Sequence, residues 1–162
     1  MTAWTSLALA QIGKGDFAAA HDSVTRSWAL SATAMEENMI LALAVSSDVS
    51  DRLGDIRRAQ EHEDRALELI SPRTSTQRRS RVDNLLALKH GRHGRHEEAL
   101  RLHERALEVA EGMGYRVEMA HALDGMAAAA ERLGRPTAAE YRERADMLFE
   151  SMGVPPQGRR TV

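Results

Sequence analysis

Small and apolar residues recur along the chain with the period of an α-helix. In four segments a glycine precedes two small residues that lie seven positions apart, which is about two helical turns and puts both on one helix face. The first member of each pair is an alanine, and successive alanines lie 39 or 40 residues apart. The pattern predicts four copies of one helical unit. The pairs are Ala20 and Ser27, Ala59 and Ala66, Ala99 and Ala106, and Ala138 and Ala145.

Each of the four glycines follows one helical pattern and precedes another. They are Gly15, Gly54, Gly94 and Gly134. Glycine at the end of a helix supplies the left-handed residue that stops it, so the unit is a helix, a tight turn and a second helix. The first helices of the units are predicted at 2–13, 35–52, 77–91 and 116–132, and the second helices at 16–32, 55–70, 95–112 and 136–151.

A single helical hairpin cannot bury its apolar face, so the four hairpins are expected to stack into one core. The sequence predicts a single domain over 1–152 and a flexible tail or linker over 153–162, which contains Pro155 and Pro156. The repeats are predicted at about 2–33, 35–71, 77–112 and 116–152. The expected core residues are Leu85, Leu86, Leu100, Leu107, Leu123, Met126, Leu133 and Leu148.

Composition narrows the function classes. The 162 residues include no cysteine, which excludes disulfides, Cys-ligated zinc, iron–sulfur clusters and cysteine nucleophiles. The formal net charge is −2 and aromatic residues make up 4%, so direct binding of nucleic acid is not expected. No apolar window is long enough to span a membrane, and no leader is recognised, so a cytoplasmic protein is expected.

The unit resembles the tetratricopeptide repeat, TPR. The first copy matches with Trp4-x2-Leu7-Ala8 followed by Phe17 and Ala20, and the fourth with Leu123-x2-Met126-Ala127. The resemblance implies an all-α, right-handed α-solenoid of about four TPR-like helical hairpins. Polar residues occupy core slots in the first helix of the second copy, which fits the pattern less well there. They are Ser46, Ser47 and Ser50.

The resemblance also implies a non-enzymatic module that binds a protein or peptide. The stretch from Ala127 to Gly153 is similar to C-terminal repeat regions of actinobacterial transcriptional regulators, which implies a sensory or regulatory part of a bacterial transcription regulator. In TPR arrays the first helices line a concave groove. The groove residues expected here are Asp48, Asp51 and Arg52 in the second copy, Arg81, Asn84 and Leu88 in the third, and His121, Asp124 and Glu131 in the fourth.

A histidine cluster is the strongest candidate for chemistry. His90, His93, His96 and His103 lie within fourteen residues, and three convergent imidazoles can bind zinc. Three of them occupy slots that hold aromatic residues in the resembled repeat, so packed or hydrogen-bonded histidines are the favoured interpretation. His96-Glu97-Glu98 begins like a metalloprotease helix, but Leu100 stands where that motif needs its second histidine. No metal, cofactor or catalytic residue is predicted.

Two other functions remain open from the sequence. The N-terminal end could be an apolar face formed by Trp4, Leu7 and Trp28, which predicts a homodimer or an oligomerisation scaffold, although both tryptophans could equally pack inside the first copy. The groove could instead hold a small molecule and act as a ligand sensor.

Overall fold

The computed structural model describes residues 3–31 and 36–154. These residues form eight α-helices and no strand. Every helix begins and ends within two residues of its predicted bounds, which confirms the all-α class and the positions of the helices. The solenoid arrangement stays a prediction, and of the predicted tail only 153–154 is described. The helices are α1 (Ala3–Gly13), α2 (Phe17–Ser31), α3 (Glu36–Arg52), α4 (Ile56–Leu69), α5 (Thr76–Arg92), α6 (His96–Met113), α7 (Arg116–Arg132) and α8 (Ala138–Ser151).

The turns within the hairpins depend on the four predicted glycines. Their φ angles lie between +66° and +83°, the left-handed region that side chains with a Cβ rarely adopt. Each therefore ends one helix and lets the chain reverse. All four alanines and their partners seven residues later are buried, which confirms that each pair shares one inward face.

The chain divides into two compact units, Met1–Arg78 and Arg79–Val162. In the first unit α1 packs on α2, α2 contacts α3, and α3 packs on α4. Buried hydroxyl groups join two of these helices, because Thr5 Oγ1 and Ser27 Oγ lie 2.7 Å apart. The predicted single domain over 1–152 stays a prediction.

Helix α3 is buried from Ile40 to Ser50 although three serines occupy core positions there. Hydrogen bonds of these serines allow their burial. Ser46 accepts a hydrogen bond from Trp28 Nε1 at 3.0 Å and donates to the carbonyl of Ala42 at 2.8 Å. Ser47 donates to the carbonyl of Ala59 in α4 at 2.8 Å. Buried polar groups are tolerated when they are hydrogen-bonded, so these serines connect α3 to α2 and α4.

In the second unit α6 packs on α7 and α7 packs on α8. The core contains Leu100, Leu123 and Phe149 together with many alanines, which let the helices approach closely. Six of the eight expected core residues are buried, as predicted. Leu133 and Leu148 are only partly buried and pack at the edge of this core.

Replacing one of the small residues that recur seven positions apart with a larger one tests this packing. Ala145 is fully buried in α8, whereas Ala139 on the same helix is exposed. We expect Ala145→Leu to lower the free energy of unfolding by about 1–3 kcal/mol, because overpacking displaces neighbouring helices. Ala139→Leu should change it by less than about 0.5 kcal/mol. Chemical denaturation measures both, and equal effects would contradict the assigned inward face.

Candidate ligand-binding site

The groove residues expected in the first unit are mostly engaged with each other. Asp48 is buried, and its Oδ2 lies 3.0 Å from Nε of Arg52. The Arg52 guanidinium also lies over the ring of Phe17, 5.1 Å from its centre. Asp51 is half-buried. The pair of Asp48 and Arg52 therefore joins successive turns of α3. A role of these residues in binding a partner stays a prediction.

Several groove residues expected in the second unit also make internal contacts. Arg81 Nε lies 2.7 Å from Glu118 Oε1, and Asp124 forms an ion pair with Arg142. The His121 ring meets the edge of Phe149 with the ring centres 5.3 Å apart. Since Glu118 is buried and Asp124 nearly so, their pairing with arginine offsets the cost of removing the carboxylates from water.

Of the three remaining expected residues, Leu88 and Glu131 line a cavity of about 470 Å³ in the second unit, and Asn84 contacts a residue of its wall. Helices α5, α6 and α7 and the turn between α5 and α6 form its walls. Most of the wall has small side chains or none, which leaves the space open. These wall residues are Ala87, Gly91, Gly94, Ala99, Gly125, Ala128 and Ala129.

Charged and polar side chains complete the lining. Arg92, His96 and Arg132 contribute basic groups, and among the described lining residues Glu131 is the one acid. Glu131 Oε1 lies 3.6 Å from an Nη of Arg142, a distance at which exposed pairs interact weakly. The lining therefore combines small apolar residues with a basic excess. Sequence reasoning missed Arg92 and Arg132 because a shift of one residue re-aims a helical side chain by about 100°.

One wall of the cavity is formed by a buried histidine. His103 in α6 is 2% exposed, and its Nδ1 lies 2.8 Å from Asn84 Oδ1 in α5. The Asn84 amide nitrogen faces the carbonyl of Glu118 in α7 at 3.4 Å, so its oxygen must accept from His103. The proton is therefore on Nδ1, and Nε2 carries the lone pair. Burial lowers the pKa of His103 to about 3, so the ring is neutral at physiological pH.

The His103 ring lies where α7 has a glycine. A Cβ added to Gly125 would overlap Nε2 and Cε1 of that ring. A glycine inside a helix is unfavourable by about 1 kcal/mol relative to alanine, so its presence in the middle of α7 has a packing reason. The prediction of a packed, hydrogen-bonded histidine is confirmed for His103. The sequence signal that could have indicated this contact was Gly125, a glycine in the interior of a predicted helix.

The other histidines of the cluster are dispersed. His90 is buried, His93 is exposed and His96 is half-buried at the cavity. Among the described residues, no group of three or more potential side-chain ligands is arranged to hold a metal ion. Over residues 3–31 and 36–154, no helix combines the length and apolar character needed to cross a membrane.

The three residues expected at a self-association face have different surroundings. Trp4 is half-buried under the guanidinium of Arg26, whose Cζ lies 5.0 Å from the ring centre. Leu7 is 43% exposed. Trp28 packs within the first unit, where its indole donates to Ser46 and meets the edge of His62. A homodimer through Trp4 and Leu7 stays a prediction.

Comparison with models of protein families gives no match, and comparison with curated proteins gives no significant relative. The TPR resemblance therefore depends on the residues quoted for it.

A double-mutant cycle tests the contact between Gly125 and His103. Gly125→Ala alone should lower the free energy of unfolding by about 2 kcal/mol or more, because the ring is confined. In a His103→Ala background the same change should raise stability by roughly 0.5–1 kcal/mol, since alanine favours the helix and the space is now empty. Chemical denaturation measures all four proteins. The same sign in both backgrounds would exclude the assigned contact.

The neutral state of His103 predicts a specific loss of stability in acid. Its pKa in the folded protein is below the ordinary value of 6.5, so the unfolded chain binds the proton more readily. Stability from this group is present above about pH 6.5 and is lost as the pH falls, by about 1.4 kcal/mol per pH unit. Between about pH 7.5 and about pH 5 the wild type should lose about 2 kcal/mol more than His103→Gln.

All other titrating groups are common to the wild type and His103→Gln, so the difference between their pH profiles reports on His103. A His103→Gln protein that loses as much stability as the wild type would show that His103 is not held neutral.

Proposed function

We propose that the protein is a non-enzymatic binding module that recognises an extended segment of a protein or peptide at the cavity of the second unit. The observation that carries this proposal is the cavity lined by α5, α6 and α7, with small-residue walls and charged side chains around them. Its volume of about 470 Å³ can receive a peptide side chain and part of the backbone on either side. Pockets of this kind anchor partner side chains at protein interfaces.

The charged lining supports recognition of an oriented chain. Arg92, His96 and Arg132 give the site a basic excess, while Glu131 provides one acceptor. Charged groups at an interface steer a partner and fix its register more than they raise its affinity. An apolar side chain in the cavity and an acidic neighbour on the peptide satisfy both parts of the lining.

The groove residues with internal partners contribute less to this proposal. Breaking the pair between Arg81 and Glu118 would leave a buried carboxylate without its cation, which destabilises the fold before it affects binding. Leu88 and Glu131 are the expected groove residues that line the cavity itself. We also propose that the module is the regulatory part of a bacterial transcription regulator, and the sequence resemblance alone supports this role.

A small-molecule sensor is the second candidate. The cavity volume favours it, because sites for small ligands commonly measure about 300–1,000 Å³. The two candidates differ in what lies outside the cavity, since a peptide also contacts the surface beyond its rim.

A cavity-filling variant tests the proposal. Ala128 lines the cavity and is half-buried, so Ala128→Met reduces the open volume without replacing a fully buried side chain. A random displayed-peptide library is selected against the wild type, and affinity for the selected peptide is measured by calorimetry. We expect Ala128→Met to weaken binding at least about tenfold, which is about 1.4 kcal/mol. The exposed Ala139→Met is the matched control and should bind like the wild type.

The location is checked by NMR. The amide signals of Gly91, Gly94 and Gly125, which line the cavity, should shift when the peptide is added. A peptide that binds Ala128→Met as tightly as the wild type would contradict the proposed site. If the library yields no binder while a small-molecule library shifts the same glycines, the sensor replaces peptide recognition.

A further inference from the structure

A second cavity lies in the first unit and involves none of the residues discussed above for peptide recognition. Its volume is about 260 Å³, and it lies among α2, α3 and α4. Three rings and one guanidinium dominate its lining: Trp28, His21, His62 and Arg58. A valine, a threonine and Ser46 complete it, and none of the described lining residues carries a carboxylate.

The aromatic wall is held in place by contacts within the unit. Trp28 Nε1 donates to Ser46 Oγ at 3.0 Å, and Ser46 donates to the carbonyl of Ala42 at 2.8 Å. The His62 ring meets the Trp28 ring edge-on, with the centres 5.2 Å apart and the planes at 62°. The orientation of Trp28 is thus fixed before anything enters, which reduces the entropy that binding must overcome.

Among the described residues, the cationic group of the cavity is paired only weakly. Arg58 Nε lies 3.7 Å from Asp55 Oδ2, beyond normal hydrogen-bond distance, and both side chains are about half exposed. The other oxygen of Asp55 accepts from the backbone N–H of Arg58 at 3.0 Å and caps α4. The carboxylate is therefore fixed by the helix terminus, and the guanidinium can turn toward an anion in the cavity.

The chemistry of the lining selects a ligand class. A guanidinium binds a carboxylate through two parallel hydrogen bonds, and indole favours a flat partner for stacking. A volume of about 260 Å³ suits one aromatic ring with a small substituent. We propose that the first unit binds a small aromatic carboxylate, with Trp28 against the ring and Arg58 on the carboxylate. This site is independent of the proposed peptide recognition, since all of its residues belong to the other unit.

Fluorescence of Trp28 tests this site directly. The chain has two tryptophans, so Trp4→Phe leaves Trp28 as the only indole. This protein is titrated with benzoate, with benzyl alcohol as the neutral analogue of similar shape, and with inorganic phosphate. We expect saturable quenching by benzoate with an affinity at least tenfold higher than for either other probe. Absence of saturation by benzoate, or equal affinity for benzyl alcohol, overturns the proposal.

Two substitutions in α4 test whether Arg58 binds the carboxylate of the ligand. Arg58→Gln retains the backbone N–H that Asp55 caps, so it should fold, and circular dichroism and thermal unfolding verify this. It should weaken benzoate binding at least tenfold. Arg65→Gln removes an exposed arginine that pairs with Glu68 on the same helix and should leave binding unchanged. Unchanged affinity in folded Arg58→Gln, or phosphate binding as tight as benzoate, contradicts an aromatic carboxylate site.

Discussion

The second unit depends on one uncharged imidazole that is removed from water. His103 in α6 can be buried for two reasons. Asn84 in α5 accepts a hydrogen bond from its protonated Nδ1, and Gly125 in α7 has no side chain where the ring lies. Each of three helices thus contributes a different requirement: a donor, an acceptor and an empty space. A charged ring would have to be removed from water, which is why burial lowers its pKa so far. The cavity lies beside this ring, so its shape follows from the same contacts.

Several charged side chains in this protein hold neighbouring helices together. Asp83 is buried, and Arg105 Nε lies 2.7 Å from one of its oxygens, which joins α5 to α6. This hydrogen bond raises the pKa of Arg105 above its ordinary value. Similar pairs between arginine and a buried or half-buried carboxylate connect Arg81 to Glu118 and Arg142 to Asp124. A charged helix face therefore does not by itself indicate a binding surface here.

The helices could be predicted because their signals are local. A turn glycine and two small residues two turns apart act within one hairpin, and both are visible in the order of residues. The site required contacts across the chain that no local pattern contains. Asn84 and His103 lie 19 positions apart, and the glycine that completes their arrangement is in the next helix. Leu88 and Glu131 were found because helix periodicity indicates a face, whereas the partners of Asp124 and Arg81 depend on tertiary packing.

The protonation state of His103 in solution tests the central claim most directly. Long-range ¹H–¹⁵N correlation spectra distinguish a ring nitrogen that carries a proton from one that does not. The account predicts a proton on Nδ1, a bare Nε2, and no change in either signal between about pH 7.5 and about pH 5, because the folded-state pKa is about 3. A proton on Nε2, or a ring that titrates near its ordinary pKa, would contradict the arrangement of His103, Asn84 and Gly125.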